Sequence, residues 1–144
     1  MGDATVTTST APDPATVDRL SDALADAFRT GDAGDVFTDD VFLDGHPPFW
    51  RFQVQGIGGF GEWLRGYVGD GHEIDVVRTV PTVSGFVTVH SSAADTPTGR
   101  VTSREILLCE VRDGRVAELT VFCNGDWDGE LRARHAAEAP MLRP

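Results

Sequence analysis

Residues 102–124, TSREILLCEVRDGRVAELTVFCN, constrain this chain more than any other stretch. Two apolar-rich runs flank Asp113-Gly114, and an Asp-Gly pair supplies the positive φ that a two-residue hairpin turn requires. With that turn, Arg112 faces Arg115 and Val111 faces Val116. Continued without interruption, the pairing sets Arg104, Ile106, Leu108 and Glu110 on one face, opposite Cys123, Val121, Leu119 and Ala117. Ser103, Glu105, Leu107 and Cys109 share the other face with Asn124, Phe122, Thr120 and Glu118. The first face is the more continuously apolar and is expected to meet the core. Arg104 is its anomaly: a guanidinium on a core face needs acceptors, so it marks a structural ion pair or the floor of a polar pocket. A shift of one residue would exchange the faces completely.

Helical periodicity dominates the first half of the chain. Val17, Leu20, Leu24, Ala27 and Phe28 recur at helical spacing within Ala15–Thr30, with Gly31 as the stop. Asp35–Asp40 reads as a short helical turn and Val41–Asp44 as a short strand, ended by Gly45-His46-Pro47-Pro48. An aromatic loop, FWRFQVQG, follows. Ile57, Phe60, Leu64 and Tyr67 predict a helix over Gly56–Val68, despite glycines that cost about 1 kcal/mol each against alanine. His72–Thr82 and Phe86–Ser92 read as strands, Ala93–Gly99 as a loop, and Trp127–Glu138 as a helix capped by Asp126. Helices early and consecutive antiparallel strands late predict an α+β fold, a curved antiparallel sheet wrapped on one face by the N-terminal helices. Residues 1–13 are expected to be disordered, 14–138 to form a single domain and 139–144 a tail.

Composition narrows the partners. The 144 residues carry a formal net charge of -11, and every basic side chain apart from histidine is arginine. Such a balance argues against nucleic acid, whose binding depends on phosphate neutralisation. No apolar run reaches the ~20 residues of a membrane span, and the N-terminus lacks the succession of a secretory signal. Cys109 and Cys123 fall on opposite faces in the uninterrupted register, so two free thiols in a reducing cytoplasm are expected.

AFRTGD at the end of the first helix, FTDDVFLDG entering the first strand, the GIGGFGEWL helix and EVRDGRVAELTVF together resemble the nuclear transport factor 2-like superfamily over roughly residues 14–136. The resemblance implies a cone-shaped α+β domain with an internal pocket. It brings in SnoaL-like polyketide cyclases, ketosteroid isomerases, dehydratases and epoxide hydrolases, beside non-catalytic binding members. The position resembling the ketosteroid isomerase base is Gly45, between Asp44 and His46. The position resembling the SnoaL-type catalytic aspartate is Val121. The implied function is a cofactor-independent isomerase, cyclase or dehydratase acting by acid/base chemistry on a hydrophobic oxygenated molecule. The alternative is a non-catalytic small-molecule-binding or dimeric interaction module.

Asp44 and His46 are the expected proton-handling pair, an imidazole oriented by a carboxylate. The competing reading is a loop histidine bonded to backbone. His90 alternates with Phe86 and Thr88, so it either turns inward toward Arg104 or faces solvent. Arg104 is the candidate stabiliser of developing negative charge. Trp50, Phe52, Tyr67, Cys123 and Trp127 are candidate pocket residues, although aromatic loop residues often simply pack. No cofactor is expected, and His72/Glu73 and His135/Glu138 lack the clustered spacing of a metal site. The expected partners are a hydrophobic small molecule and a second copy of the chain, with neither nucleic acid nor membrane. The dimer contact is expected on the hairpin face showing Leu107, Cys109, Thr120 and Phe122.

Overall fold

The structure, a computed structural model, describes residues 11–69 and 71–143. Most of the segment expected to be disordered, residues 1–10, lies outside them. The described chain opens on Asp13, whose carboxylate accepts the Thr16 N–H at 2.7 Å and caps helix α1 (Pro14–Thr30). Then come β1 (Phe37–His46), β2 (Phe52–Gln55), α2 (Ile57–Tyr67), β3 (Glu73–Pro81), β4 (Gly85–Thr96), β5 (Gly99–Arg112), β6 (Arg115–Cys123) and α3 (Gly129–Glu138). The six strands form one sheet in the order β2-β1-β6-β5-β4-β3. All neighbours are antiparallel except β1 and β6, so the α+β architecture holds with a mixed rather than wholly antiparallel sheet. No helix among the described residues is long and apolar enough to cross a membrane.

Helices α1 and α2 lie on the inner face. Val17, Leu20, Leu24, Ala27 and Phe28 are buried there, meeting Phe86, Leu107, Cys109 and Leu119 from the sheet in one cluster. Each fully buried leucine or phenylalanine contributes about 1.5–3 kcal/mol. Ser21 of α1 and Thr79 of β3 also approach through their hydroxyl oxygens, 2.7 Å apart. Phe60 of α2 meets Phe37 of β1 at a ring separation of 4.4 Å.

Several expected boundaries move. The helical turn expected over Asp35–Asp40 is instead the start of β1, because Phe37 finds Val116 as a parallel partner and the Val36 carbonyl accepts the Val116 N–H at 2.8 Å. Part of the aromatic loop becomes β2, paired with β1. The loop expected over Ala93–Gly99 is mostly strand, with Ala93–Thr96 paired to Gly99–Thr102. The last helix starts two residues later than expected: Asp128, not Asp126, caps it by accepting the Leu131 N–H at 2.8 Å.

The central hairpin turns at Asp113-Gly114, with φ of 53° and 72°. Arg112 faces Arg115 and Val111 faces Val116, and then the register shifts: Glu110 pairs with Glu118, Leu107 with Val121 and Glu105 with Cys123. Ala117 is the extra residue of a β-bulge, and Val116 and Ala117 are consequently buried in succession. A bulge of one residue reverses the faces of one strand relative to its partner. Leu119 and Val121 on β6 therefore face inward as expected, while β5 is inverted. Glu105, Leu107 and Cys109 face the core, and Arg104, Ile106 and Leu108 face outward. The same inversion puts Cys109 and Cys123 on one face rather than two, and both thiols are free.

Gly85 begins β4 where the β5 backbone crosses closest. A Cβ there would collide with the carbonyl oxygen of Cys109, a backbone atom that cannot turn away as a flexible side chain can. Gly85→Ala is expected to cost about 3 kcal/mol. Thermal melting should show a fall in Tm on the order of 10 °C; an unchanged Tm would mean the strands are not this close.

Candidate functional site

The inner face changes character along its strands. At one end Phe86, Cys109 and Leu119 stand side by side in register; four residues further along β4, the row reads His90, Glu105 and Cys123. Glu105 and Cys123 of that row line a cavity of about 440 Å³. Phe28 of α1, Trp63 and Tyr67 of α2, and Phe52 of β2 form its aromatic wall; Glu105, Val121 and Cys123 line the sheet side. Its mouth lies among His46, Pro47, Pro48, Gly125 and Asp126. Trp63 and Tyr67 stack at 5.2 Å, and the Phe28 ring meets both edge-on, at 6.0 and 5.7 Å.

Glu105 is only 3% exposed and is held by a ring of donors. Tyr67, Ser92 and Ser103 all bring their hydroxyls to Oε1, at 3.0, 3.1 and 2.7 Å, and the Cys123 Sγ lies 3.9 Å from the same oxygen. The two serine oxygens are themselves 2.5 Å apart, so one of them donates to the other. Oε2 has no partner among the described residues. It is not sealed off either: among the described residues, the fully buried side-chain polar atoms lacking a partner are those of Thr38, Thr82 and His90. Oε2 therefore opens onto the cavity that Glu105 lines. Burial and the Glu105 carboxylate push the Tyr67 hydroxyl far above its usual range. Burial also raises the Cys123 thiol, with Glu105 and Asp126 adding to the rise.

The residues singled out in the sequence separate into two groups. Phe52, Tyr67 and Cys123 line the cavity, whereas Trp50 and Trp127 do not. Trp50 is 72% exposed, and Trp127 donates its ring N–H to the Asn124 carbonyl and meets His135 edge-on. Asp44 and His46 do come together, Nε2 to Oδ1 at 3.2 Å, but on the outer side of β1. There the inward positions belong to Val41, Leu43 and Gly45. The His46 ring touches the cavity mouth and stacks on Phe122 at 4.4 Å. Arg51 grips both Asp44 oxygens, at 2.9 and 2.8 Å, and this pairing holds the Asp44 carboxyl down at about 2. Arg104 lies on the outer face, contrary to expectation, for the reason the bulge supplies. His90 is 1% exposed, faces the core and pairs across the sheet with Glu105, not Arg104. It is not among the cavity-lining residues.

Glu105, Trp63, Phe28 and Asp126 were not expected in the site. Alternation alone requires that one of Arg104 and Glu105 face inward. The choice went wrong because the outer face is apolar too. Asp126 was expected to cap the last helix, and once Asp128 takes that role it is left at the cavity mouth. Both positions that resemble a family base line the cavity as apolar residues. At Gly45 the Phe52 ring lies where a Cβ would stand, and the other position is Val121.

This arrangement of helices on one face of a six-stranded curved sheet is shared with many solved structures. This is the nuclear transport factor 2-like fold. An LEH-like epoxide hydrolase from M. tuberculosis superposes with a TM-score of 0.66 at 21% identity, over 90% of this chain and 100% of that one. A protein described as a SnoaL-like polyketide cyclase from Jannaschia sp. CCS1 gives 0.65 at 17% identity, over 90% and 98%. A nuclear transport factor 2-like protein from Anabaena variabilis ATCC 29413 gives 0.64 at 14%, over 78% and 89%. No protein-family model matches the sequence, and no curated protein does. At these identities the likeness establishes the fold, and nuclear transport factor 2-like folds carry many chemistries.

Proposed function

We propose that the chain is a cofactor-independent acid/base enzyme of the isomerase, cyclase or dehydratase type, acting on a hydrophobic oxygenated small molecule, with Glu105 as the proton-handling group. The observation that carries this reading is the free Oε2 of a carboxyl group otherwise locked by three hydroxyls, facing an aromatic cavity. A general base needs an oriented lone pair within reach of a carbon acid and little competing water. The hydroxyls gathered on Oε1 fix the plane of the carboxyl group, and the aromatic wall limits the water beside Oε2. Oε2 takes the proton from carbon and returns it to a second position on the same molecule. Asp44 and Arg104 lie on the outer side and have no part in this step, and His46 stands only at the cavity mouth.

Solvent exchange tests the reading. Hydrophobic cyclic ketones incubated with the protein in D2O should exchange the hydrogens beside the carbonyl faster than in buffer, as read by NMR. Binding without exchange across such a panel would leave the non-catalytic module as the better account.

The reading extends to a homodimer in a reducing cytoplasm, which suits two free thiols. The expected contact face stays the outer side of the sheet, but its residues change. Leu107 and Cys109 are buried within the core; Ile106, Leu108 and Phe122 stand outside, with Ile106 49% and Phe122 53% exposed. A continuous apolar stripe of this kind favours a self-complementary contact. Sedimentation should show a dimer at micromolar concentration and a monomer for Phe122→Arg. A monomeric wild type would end this part of the proposal.

A further inference from the structure

Apart from His46 at the mouth, the ionisable acids and bases lining the cavity are of one sign. Glu105 lies on its sheet side and Asp126 at its mouth, and no arginine lines it. Lysine is absent from the whole sequence. Neither carboxylate has an ion-pair partner among the described residues, although Arg51, Arg100 and Arg112 neutralise acids elsewhere. Groups within the cavity register this field: the Glu105 charge helps raise Tyr67, and Glu105 and Asp126 together help raise Cys123. Opposite the carboxylates stand the rings of Trp63, Tyr67, Phe28 and Phe52, in mutual contact at 5.2 to 6.0 Å. An aromatic face attracts a cation through its quadrupole, most strongly for tryptophan and most of all where water is excluded. A low-dielectric cleft lined by charges of one sign strengthens that selection and repels anions.

We infer that the substrate of this cavity is a hydrophobic amine, a carbonyl compound whose cationic nitrogen sits against the aromatic wall, Trp63 foremost, between Glu105 and Asp126. This rests on the reading of the cavity as the substrate site and adds the charge class of the substrate. Carboxylates, phosphates and thioesters entering by an anionic end are disfavoured. Glu105 can serve as counter-charge and base together, because its free oxygen faces the cavity while the other is occupied by hydroxyls.

Three benzyl-bearing probes separate the charges: benzyltrimethylammonium, its neutral carbon isostere neopentylbenzene, and the smaller anion phenylacetate. Protein NMR titrations should show the ammonium binding at least tenfold more tightly than the hydrocarbon, and phenylacetate weakest of the three. Glu105→Gln keeps an acceptor for the three hydroxyls and removes the charge, so it should lose most of the preference while still binding the hydrocarbon. Trp63→Leu should weaken the ammonium more than the hydrocarbon. Equal binding of ammonium and hydrocarbon, or preference for phenylacetate, overturns the amine assignment and leaves the cavity as a ligand site. Failure of all three probes to shift any cavity resonance removes both the assignment and the site it rests on.

Discussion

Glu105→Gln is expected to lower the rate of exchange at carbon by about 10²–10⁴, the range that a positioned general base supplies, while Tm stays within a few degrees of wild type. The asymmetry follows from the two oxygens. The hydroxyls of Tyr67, Ser92 and Ser103 gather on Oε1, and a glutamine carbonyl can accept from the same group. Oε2 is replaced by an amide nitrogen, which cannot take a proton. Glu105→Leu is the contrasting variant. It leaves three hydroxyls in a buried setting without their acceptor, and its loss of stability should be on the order of 3 kcal/mol. Parallel measurement of exchange rate and melting temperature therefore separates chemistry from architecture. Full exchange activity in Glu105→Gln would remove this residue from the mechanism.

The central turn, the two strands it joins and the inward row of β6 were legible because Asp113-Gly114 and the alternation of Leu119 and Val121 are local signals. Glu105 was not legible, because its orientation depends on the bulge at Ala117, where one extra residue inverts β5 against β6. Such a bulge has a local trace only in the run Val116-Ala117, two adjacent small apolar residues that are both buried. Apolar count could not decide the faces of β5 either. Ile106 and Leu108 outside balance Leu107 and Cys109 inside, as they would if the outer face also has a partner. The Asp44–His46 pairing could be anticipated from a spacing of two in an extended strand. Its direction could not, since nothing local says that Gly45, rather than its neighbours, turns inward to receive the Phe52 ring. The aromatic wall is assembled from α1, β2 and α2, and no spacing within one element shows that convergence.

Acidification from pH 7 to pH 4 is expected to remove roughly 3 kcal/mol of stability through His90 alone. Burial, with a smaller contribution from the Arg29 charge, depresses this histidine from 6.5 to about 4. Arg29 approaches from α1, and Glu105 is its partner position on β5. Above about pH 6.5 the imidazole is neutral in both folded and unfolded chains, and the full stability is present. Between 6.5 and 4 the unfolded chain binds a proton that the folded one refuses, so stability falls with pH. Below about 4 both states are protonated and this contribution is exhausted. A shift of that size converts to roughly 3 kcal/mol at 1.36 kcal/mol per unit. His90→Leu removes the titrating ring from a site where its Nε2 has no hydrogen bond to lose. Urea midpoints measured every half unit should therefore fall less steeply for the variant than for wild type between pH 6.5 and 4. The paired carboxylates, Asp44 among them, titrate in both proteins and cancel in the difference. Parallel curves across that window would show that His90 takes up its proton without leaving the fold, with Glu105 beside it as the carboxylate able to compensate the charge.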